Sequence, residues 1–281
     1  MKIESQRISE LKLGKKLAAL TCDIEEDYGF RVGSLQWLEK KQEIKRFGSI
    51  LQKHDVPLTG FVVCCLLDNP AIFDFIQSFC ADVQPHSFSH VTKGTADQVR
   101  TDIKMAVESY AGKFNKDALG YRFPQGRFDP AFVPVLRDLG IKYDSSIFPG
   151  IRPGVFNFSG VPQDPFLVDG FMELPFATFL RMRTVFSVSY AKLYGDVITR
   201  LQAILLGLPD VVILDSHMTD FICVEAFRKL PWHMRMAYRR NKNRGLEVCE
   251  TLVILLKQLG YRFVTVREIY EQCAAKSMVG P

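Results

Sequence analysis

Short stretches with strand character, most of them apolar, recur along the first half of the chain. They occupy residues 17–22, 57–66, 81–83, 119–123 and 141–146. Segments that are apolar on both faces are typical of strands buried in a parallel sheet. The pattern therefore predicts buried strands, and an acidic cluster follows the first of them directly.

Segments with helical periodicity lie between these strands. In residues 96–114, Val99, Ile103, Val107 and Tyr110 share one face, as in an amphipathic helix. By the same pattern, helices are predicted over residues 39–53, 71–79, 96–114, 130–139, 190–206, 243–259 and 267–274.

The second half of the chain continues the alternation less regularly. Strands are predicted over residues 211–217 and 261–266, a Pro- and Gly-rich loop over residues 148–169, and a return to the sheet at residues 173–176. Buried strands that alternate with helices predict an α/β fold with a parallel sheet. About seven strand–helix units favour a distorted (β/α) barrel, in which chemistry lies at the C-terminal ends of the strands.

The composition is that of one sizeable domain. The chain has 281 residues, of which 47% are hydrophobic, and this favours a single domain over residues 1–281 with its core at about residues 17–270. A net charge of +5 does not indicate a nucleic-acid partner. The seven cysteines form no C-x2-C pair and the N-terminus shows no apolar signal segment, so we expect reduced thiols and a cytoplasmic protein.

Two histidines with H-x3-H spacing are the first candidates for chemistry. His86 and His90 follow a predicted strand, and imidazoles four residues apart can converge on one metal ion in a helical turn or a tight loop. The carboxylate that completes such a site is expected from the acidic cluster. Asp23 and Glu25 point to the same side of a strand, so that one can ligate the metal and the other can accept a proton from water. Asp27 is a third candidate ligand.

Arg122 begins the stretch Arg122-Phe-Pro-Gln-Gly126, in which proline and glycine predict a stiff turn. An arginine beside an acidic base orients the carboxylate and keeps it ionised. Phe123 and Pro124, which follow it, are candidates for contact with the substrate.

His217 ends another apolar strand and is a candidate general acid. Asp144, also at a strand end, is predicted either to orient this histidine or to bind substrate. Asp215 lies on the same strand face as His217 and is a second candidate for either task.

The ordered set of motifs resembles the polysaccharide deacetylase superfamily, the NodB-homology group of carbohydrate esterases. The matching motifs are Thr21-Cys-Asp23-Ile-Glu25, His86-Ser-Phe-Ser-His90, Arg122-Phe-Pro-Gln-Gly126, Tyr143-Asp-Ser-Ser146 and Leu214-Asp-Ser-His217. The resemblance implies a distorted barrel and a metal-dependent hydrolase that removes acetyl or formyl groups from acylated sugars. It also implies one divalent ion, with zinc as the first expectation and cobalt, nickel, iron or manganese as alternatives.

The resemblance also implies a role for several of the side chains in these motifs. Asp23 matches the catalytic base, His86 and His90 match the metal-binding histidines, Arg122 matches the arginine that orients the base, and His217 matches the general acid. The usual pattern has two adjacent aspartates, whereas here Ile24 follows Asp23. Glu25 is therefore expected to be the carboxylate ligand, with Asp23 and Asp27 as alternatives.

Three functions are compatible with these residues. The first is a metal-dependent carbohydrate deacetylase acting on an acetylated sugar or glycan. The second is an allantoinase-like hydrolase of non-sugar C–N amide bonds, and the third is an inactive glycan-binding homologue. The basic, aromatic stretch over residues 227–242 is interpreted as a solvated helix, with contact to an anionic membrane surface as the alternative.

Overall fold

Strand β2 (Leu17–Ile24) lies inside the fold and is buried along its whole length. The computed structural model describes Ile3, residues 8–152 and residues 156–279. In this part of the chain the strands are β1 (Ile8–Glu10), β2 (Leu17–Ile24), β3 (Leu58–Val62), β4 (Cys80–Pro85), β5 (Gly120–Tyr121), β6 (Tyr143–Asp144), β7 (Ile151–Arg152), β8 (Phe156–Asn157), β9 (Phe166–Val168), β10 (Phe171–Glu173), β11 (Val211–Leu214) and β12 (Arg262–Phe263).

Helices precede or follow most of these strands. They are α1 (Asp27–Phe30), α2 (Lys41–Lys53), α3 (Pro70–Phe79), α4 (Ala96–Phe114), α5 (Val133–Asp138), α6 (Val188–Tyr194), α7 (Asp196–Leu206), α8 (Met218–Phe221), α9 (Trp232–Arg239), α10 (Gly245–Gln258) and α11 (Val266–Val279). Among the described residues, no helix combines the length and the apolar character that a membrane span requires.

The strands pair in two main sheets. In the first, the parallel strands follow the order β11-β2-β3-β4, and β12 also pairs with β2. In the second, the order is β1-β9-β10-β6-β5, where β10, β6 and β5 are parallel and β9 runs antiparallel to both of its neighbours, β10 and β1. The predicted α/β fold with a mostly parallel sheet is confirmed.

Single hydrogen bonds connect the edges of the two sheets. The Ala177 amide, just after β10, donates to the carbonyl of Ile213 in β11 at 3.0 Å, and the Arg122 amide donates to the carbonyl of Pro85 in β4 at 3.1 Å. Between β4 and β5, the Gln84 side-chain oxygen accepts the amides of Leu119 and Gly120 at 3.0 and 2.9 Å. These contacts take the place of a regular ladder, and a continuous ladder around a closed barrel is not observed among the described residues.

Alternate residues of β2 pack into different hydrophobic clusters. Ala18 and Leu20 belong to the larger cluster, which includes residues of the surrounding helices. Leu17 and Ala19 belong to a smaller cluster with Phe61 and with residues of β10 and β11. Because side chains alternate along a strand, Thr21 and Asp23 continue the face of Leu17 and Ala19. The carboxylate of Asp23 is thereby directed between the two sheets.

The predicted helix over residues 96–114 matches α4, whereas the one over residues 190–206 is wrong in detail. It is divided into α6 and α7 at Gly195, whose φ of 93° an α-helix cannot accommodate. The predicted loop over residues 148–169 contains β7, β8 and β9. Strands of two or three residues are too short to give a periodic signal, and β9 forms through pairing with the remote β1.

Candidate active site

A cavity of about 440 Å³ opens where several parallel strands end. Its walls include Asp23 of β2 and Glu25, the first residue after β2. They also include His86, which directly follows β4, and Arg122, which directly follows β5. His217, three residues after the end of β11, completes this group. Past the end of β11, the Asp23 amide donates to the Ser216 carbonyl at 2.8 Å, and a parallel bridge joins Asp23 to His217. The structure therefore brings together five side chains that the sequence had placed at four strand ends.

Asp23 and Arg122 form a buried ion pair. Arg122 Nη1 lies 2.6 Å from Asp23 Oδ1 and also donates to Thr21 Oγ1 at 3.0 Å, while Arg122 Nε donates to the Ser145 carbonyl at 2.8 Å. Burial alone would raise the pKa of Asp23, but the positive charge and the hydrogen bond of Arg122 help to lower this pKa below its usual value. Asp23 is therefore ionised and fixed in orientation.

Two aromatic rings lie against the guanidinium of Arg122. Its Cζ lies 3.6 Å from the ring centroid of Phe61 and 4.4 Å from that of Phe176. Such contacts between a guanidinium and aromatic faces are favourable and restrict its rotation. The neighbouring groups thus define one position for the cation beside Asp23.

Glu25, His86 and His90 form a second group whose ligand atoms lie within 4.8 Å of one another. Glu25 Oε2 is 2.9 Å from His90 Nε2 and 3.8 Å from His86 Nε2. His86 Nδ1 lies 3.0 Å from the carbonyl oxygen of Arg122, which can only accept, so Nδ1 carries the proton and Nε2 presents its lone pair to the cavity. Burial lowers the pKa of His86 and keeps it neutral.

A tight loop, rather than a helical turn, presents His90. Ser87 and His90 both have left-handed backbone angles, with φ of 64° and 56°, which are uncommon for residues with side chains. Asp102 of α4 stabilises the loop, because its carboxylate accepts the amides of Phe88 and Ser89, each at 2.9 Å. Asp102 was not identified from the sequence, where nothing connects an acidic residue of a helix with this loop.

These three side chains fit a divalent cation. Neither oxygen of the buried Glu25 carboxylate has a hydrogen bond of regular geometry among the described residues, although His90 Nε2 lies close to Oε2. A buried carboxylate without donors is costly unless a cation compensates its charge. Two imidazoles and one carboxylate are a donor set typical of zinc and of other divalent transition metals.

Asp27 does not belong to this group. Its Oδ2 accepts the Ser34 hydroxyl at 2.7 Å and the Gln36 amide at 2.8 Å, so the side chain holds the loop that follows α1. The geometry thus favours Glu25 over Asp27 as the third donor, and it leaves Asp23 with Arg122.

His217 is held by an aspartate that the sequence analysis missed. His217 Nδ1 lies 3.2 Å from Asp220 Oδ2, and Nε2 faces Glu25 Oε1 at 3.4 Å. Although burial disfavours the cation, the charges of Glu25, Asp215 and Asp220 raise the pKa of His217 well above its usual value. Its side chain is 31% exposed, so solvent weakens this effect, and a cation bound at Glu25 would weaken it further.

Asp220 is itself fixed from two directions. Lys192 Nζ donates to its carbonyl at 2.9 Å, and a Cβ on Gly245 would lie 2.1 Å from the same oxygen, so only glycine lets α10 approach α8 so closely. Burial would raise the pKa of Asp220, but the hydrogen bond and charge of His217 lower it. Asp220 thus remains ionised beside the imidazole.

Asp144 lies elsewhere than expected. It is fully buried, is not among the described residues that line the cavity, and is opposed in the β6–β10 ladder by Glu173. The tertiary structure therefore does not bring Asp144 to His217 or to a substrate position. Burial, followed by the charge of Glu173, raises the pKa of Asp144 well above its usual value, and burial raises the pKa of Glu173 to about 7.

This carboxyl pair predicts a stability that falls as the pH rises. Between the ordinary carboxyl pKa of 4.5 and the pKa of about 7 for Glu173, the folded state binds more protons than the unfolded state, so the free energy of unfolding decreases with pH. We expect a loss of about 1 to 3 kcal/mol between pH 5 and pH 8.5, measured by urea unfolding. Asp144→Asn should flatten this dependence, because the amide is neutral throughout. The exposed Asp138→Asn is the control, and an equal slope in Asp144→Asn and the unmodified protein would contradict the assignment.

The remaining candidates for substrate contact differ in position. Phe123 and Asp215 line the cavity, whereas Pro124 is buried in the turn and is not among the described lining residues. Arg122 Nη1 lies 4.0 Å from Asp215 Oδ1, and burial raises the pKa of Asp215 to about 7. Asp215 is therefore a neighbour of the Asp23–Arg122 pair, and it does not contact His217 in place of Asp220.

The first half of the chain matches a known protein family in sequence. Residues 11–143 match the family model described as polysaccharide deacetylase. No curated protein matches the chain in sequence.

Solved structures share the fold at low sequence identity. A candidate polysaccharide deacetylase from Mycobacterium smegmatis is 16% identical, with a TM-score of 0.60 over 94% of this chain and 92% of that chain. A CE4 family pseudoenzyme from Bacillus anthracis is 15% identical, with a TM-score of 0.55 over 93% of this chain and 67% of that chain. An allantoinase is 14% identical, with a TM-score of 0.54 over 92% of this chain and 90% of that chain.

The matched residues include strands β2, β3, β4 and β5. They therefore also include Asp23, Glu25, His86, His90 and Arg122, which lie in or after β2, β4 and β5 and line the cavity. The structural neighbours support the same fold for the rest of the chain. The chain is therefore similar to the polysaccharide deacetylase family over residues 11–143, and over most of its length it shares the fold of a solved structure of that kind.

Proposed function

We propose that the protein is a metal-dependent hydrolase that removes an acetyl or formyl group from an N-acylated sugar or glycan intermediate. The observation that carries the proposal is the convergence of three groups on one cavity: Glu25 with His86 and His90, Asp23 with Arg122, and His217 with Asp220. The cavity of about 440 Å³ is within the usual range for small-ligand sites.

Glu25, His86 and His90 would hold the metal ion, with zinc as the first candidate. The chemistry that such an ion supplies is polarisation of the acyl carbonyl and a lower pKa for a bound water molecule. The protein's contribution is to orient the two imidazoles. The Arg122 carbonyl fixes the tautomer of His86, and the loop held by Asp102 fixes the position of His90.

Asp23 would act as the general base. Its Oδ1 is occupied by Arg122, while Oδ2 lies 3.4 Å from His86 Nε2 and faces the cavity. Because its pKa is lowered, the carboxylate is ionised at neutral pH and can accept the proton of an attacking water molecule. Arg122 is a positioning residue in this scheme, since it acts by orienting the carboxylate of Asp23.

His217 would act as the general acid. Asp220 holds the proton on Nδ1, so that Nε2, on the cavity side, can deliver a proton to the departing amine. The raised pKa of His217 supports a protonated imidazole at neutral pH. Acid and base thus face the same space from β11 and β2.

The proposal is tested by acetate release. The protein is stripped with a chelator, reloaded with zinc, cobalt, nickel, iron or manganese, and incubated with N-acetylglucosamine oligosaccharides, with acetate measured by proton NMR. We expect release from the metal-loaded protein and none from the stripped protein. N-formyl sugars and allantoin serve as comparison substrates.

Bound metal without hydrolysis of any acylated sugar would overturn the proposal. In that case, turnover of allantoin would favour the hydrolase of non-sugar C–N bonds. Binding of oligosaccharides without turnover of any substrate would favour an inactive glycan-binding homologue.

A further inference from the structure

Helix α7 presents its large apolar side chains to solvent. Its buried residues are the small Thr199 and Ala203. The opposite face consists of apolar residues with relative exposures from 48% to 69%, at positions that share one side of a helix. These residues are Val197, Ile198, Leu201, Ile204 and Leu205. In most surface helices the apolar face packs on the core, whereas in α7 the apolar face is exposed to solvent.

The exposed apolar surface continues towards the cavity. The Leu180 amide donates to the carbonyl of Gly207 at 3.0 Å, which joins the end of α7 to the turn that contains the exposed Met182. The next residues of that turn, Arg183 and Thr184, line the cavity. The apolar face of α7, Leu180 and Met182 thus form one surface, called here the apolar rim, beside the cavity mouth.

Helix α9 adds an exposed apolar residue and several cations near the same mouth. Met234 and Tyr238 line the cavity, whereas Met236 between them is 64% exposed. The Asn241 side chain, just after α9, donates to the Lys192 carbonyl of α6 at 2.8 Å, which connects α9 with the helix before α7. Residues 227–242 contain six Lys or Arg and no Asp or Glu.

Exposed arginines lie on both elements of the apolar rim and on the neighbouring helix α9. Arg181 lies in the turn beside Met182, Arg200 lies on α7, and Arg235 and Arg239 lie on α9. Apolar side chains flanked by arginines are typical of a helix that lies in the interface of an anionic bilayer. In that position the apolar groups lie among the acyl chains and the cations lie near the phosphates.

We propose that the apolar rim and the arginines of α9 dock on an anionic phospholipid surface, with the cavity mouth next to the bilayer. A second copy of the chain fits this surface less well. A two-fold interface would place the same patch of both copies face to face, and it would bring their arginines together. If the proposed function holds, the substrate is an N-acylated sugar at the membrane surface. This identification of the substrate rests on the proposed function, whereas the docking itself does not.

The test is sedimentation with lipid vesicles. The metal-loaded protein is mixed with vesicles of phosphatidylcholine alone or of phosphatidylcholine with phosphatidylglycerol. We expect binding to the anionic vesicles, weakened by added salt. The double variant Leu201→Glu/Leu205→Glu should bind at least about tenfold more weakly, because it removes two inserting side chains and adds charges that the surface repels.

Met105→Glu is the matched control, since Met105 is an exposed residue (41%) on α4, which packs against β4. It should sediment as the unmodified protein does. All of the substituted side chains are exposed, and thermal unfolding checks that each variant is folded. Absence of binding to anionic vesicles overturns the proposal. So does a dimer in solution that Leu201→Glu/Leu205→Glu converts to a monomer, which would assign the surface to a second copy. Because these readouts do not involve turnover, they stand apart from the test of the proposed function.

Discussion

Asp23→Asn is expected to lower acetate release by about 100- to 10,000-fold while the protein still binds metal. The amide is nearly isosteric and can keep one contact with Arg122, but it cannot accept a proton from water. Because Glu25, His86 and His90 are unchanged, the metal content after gel filtration should stay at the value of the unmodified protein. Equal activity in this variant would remove Asp23 from the role of base.

Two further substitutions make this test specific. Glu26→Gln changes the neighbouring acid, which is not among the described cavity-lining residues, and should leave the rate within about twofold. Asp220→Asn should lower the rate at least about tenfold, because the amide no longer enforces a proton on His217 Nδ1. A merely structural role for Asp220 predicts lower stability with an unchanged pH–rate profile. A positioning role predicts that the alkaline limb, where the general acid His217 loses its proton, shifts to lower pH at unchanged metal content.

Glu25→Gln and His90→Ala are expected to lower the affinity for zinc by about 100-fold or more. Loss of a residue that only orients a ligand already costs about 10- to 100-fold, and these variants remove a donor itself. Isothermal titration calorimetry on the stripped proteins measures the change. Acetate release at limiting zinc should fall in parallel.

His54→Ala provides the control for the removal of an imidazole. His54 Nε2 pairs with Glu250 at 2.9 Å, on the α2–α10 side of the molecule, and neither residue lines the cavity in the described part of the chain. Its zinc affinity should equal that of the unmodified protein. Tight zinc binding by Glu25→Gln and by His90→Ala would show that the ion is held elsewhere, with Asp23, Asp215 and His217 as the other group of suitable geometry.

The sequence identified the histidines and the carboxylates that line the cavity in the described part of the chain, because strand geometry is local. Residues two apart on a strand share a face, so Asp23 and Glu25 could be assigned to one side, and apolar runs located the strand ends near His86, Arg122 and His217. The long, regular helix α4 was predicted with its bounds, since nineteen residues give a strong periodic signal. Strands β5 and β6 have only two residues, and their neighbours rather than their own pattern define them.

The partners of these side chains depend on contacts between remote segments. Asp144 was expected either beside His217 or at the substrate, but pairing of β6 with β10 places it beside Glu173. Asp220 takes the position at His217 because the chain turns into the short helix α8, against which Gly245 packs. Asp27 was an alternative ligand until its bonds to Ser34 and Gln36 became visible.

By itself, the sequence determined the fold class, the resemblance to a family and the set of side chains available for chemistry. The fold class follows from periodicity, which acts over a few residues, and the resemblance follows from the residues and the order of the motifs. Only the tertiary structure decided that Glu25 joins the two histidines, that Asp220 rather than Asp144 holds His217, and that α7 turns its apolar face outward. Helical periodicity gives the same pattern whether an apolar face is buried or exposed, and the direction of that face is fixed by packing against elements distant in the chain.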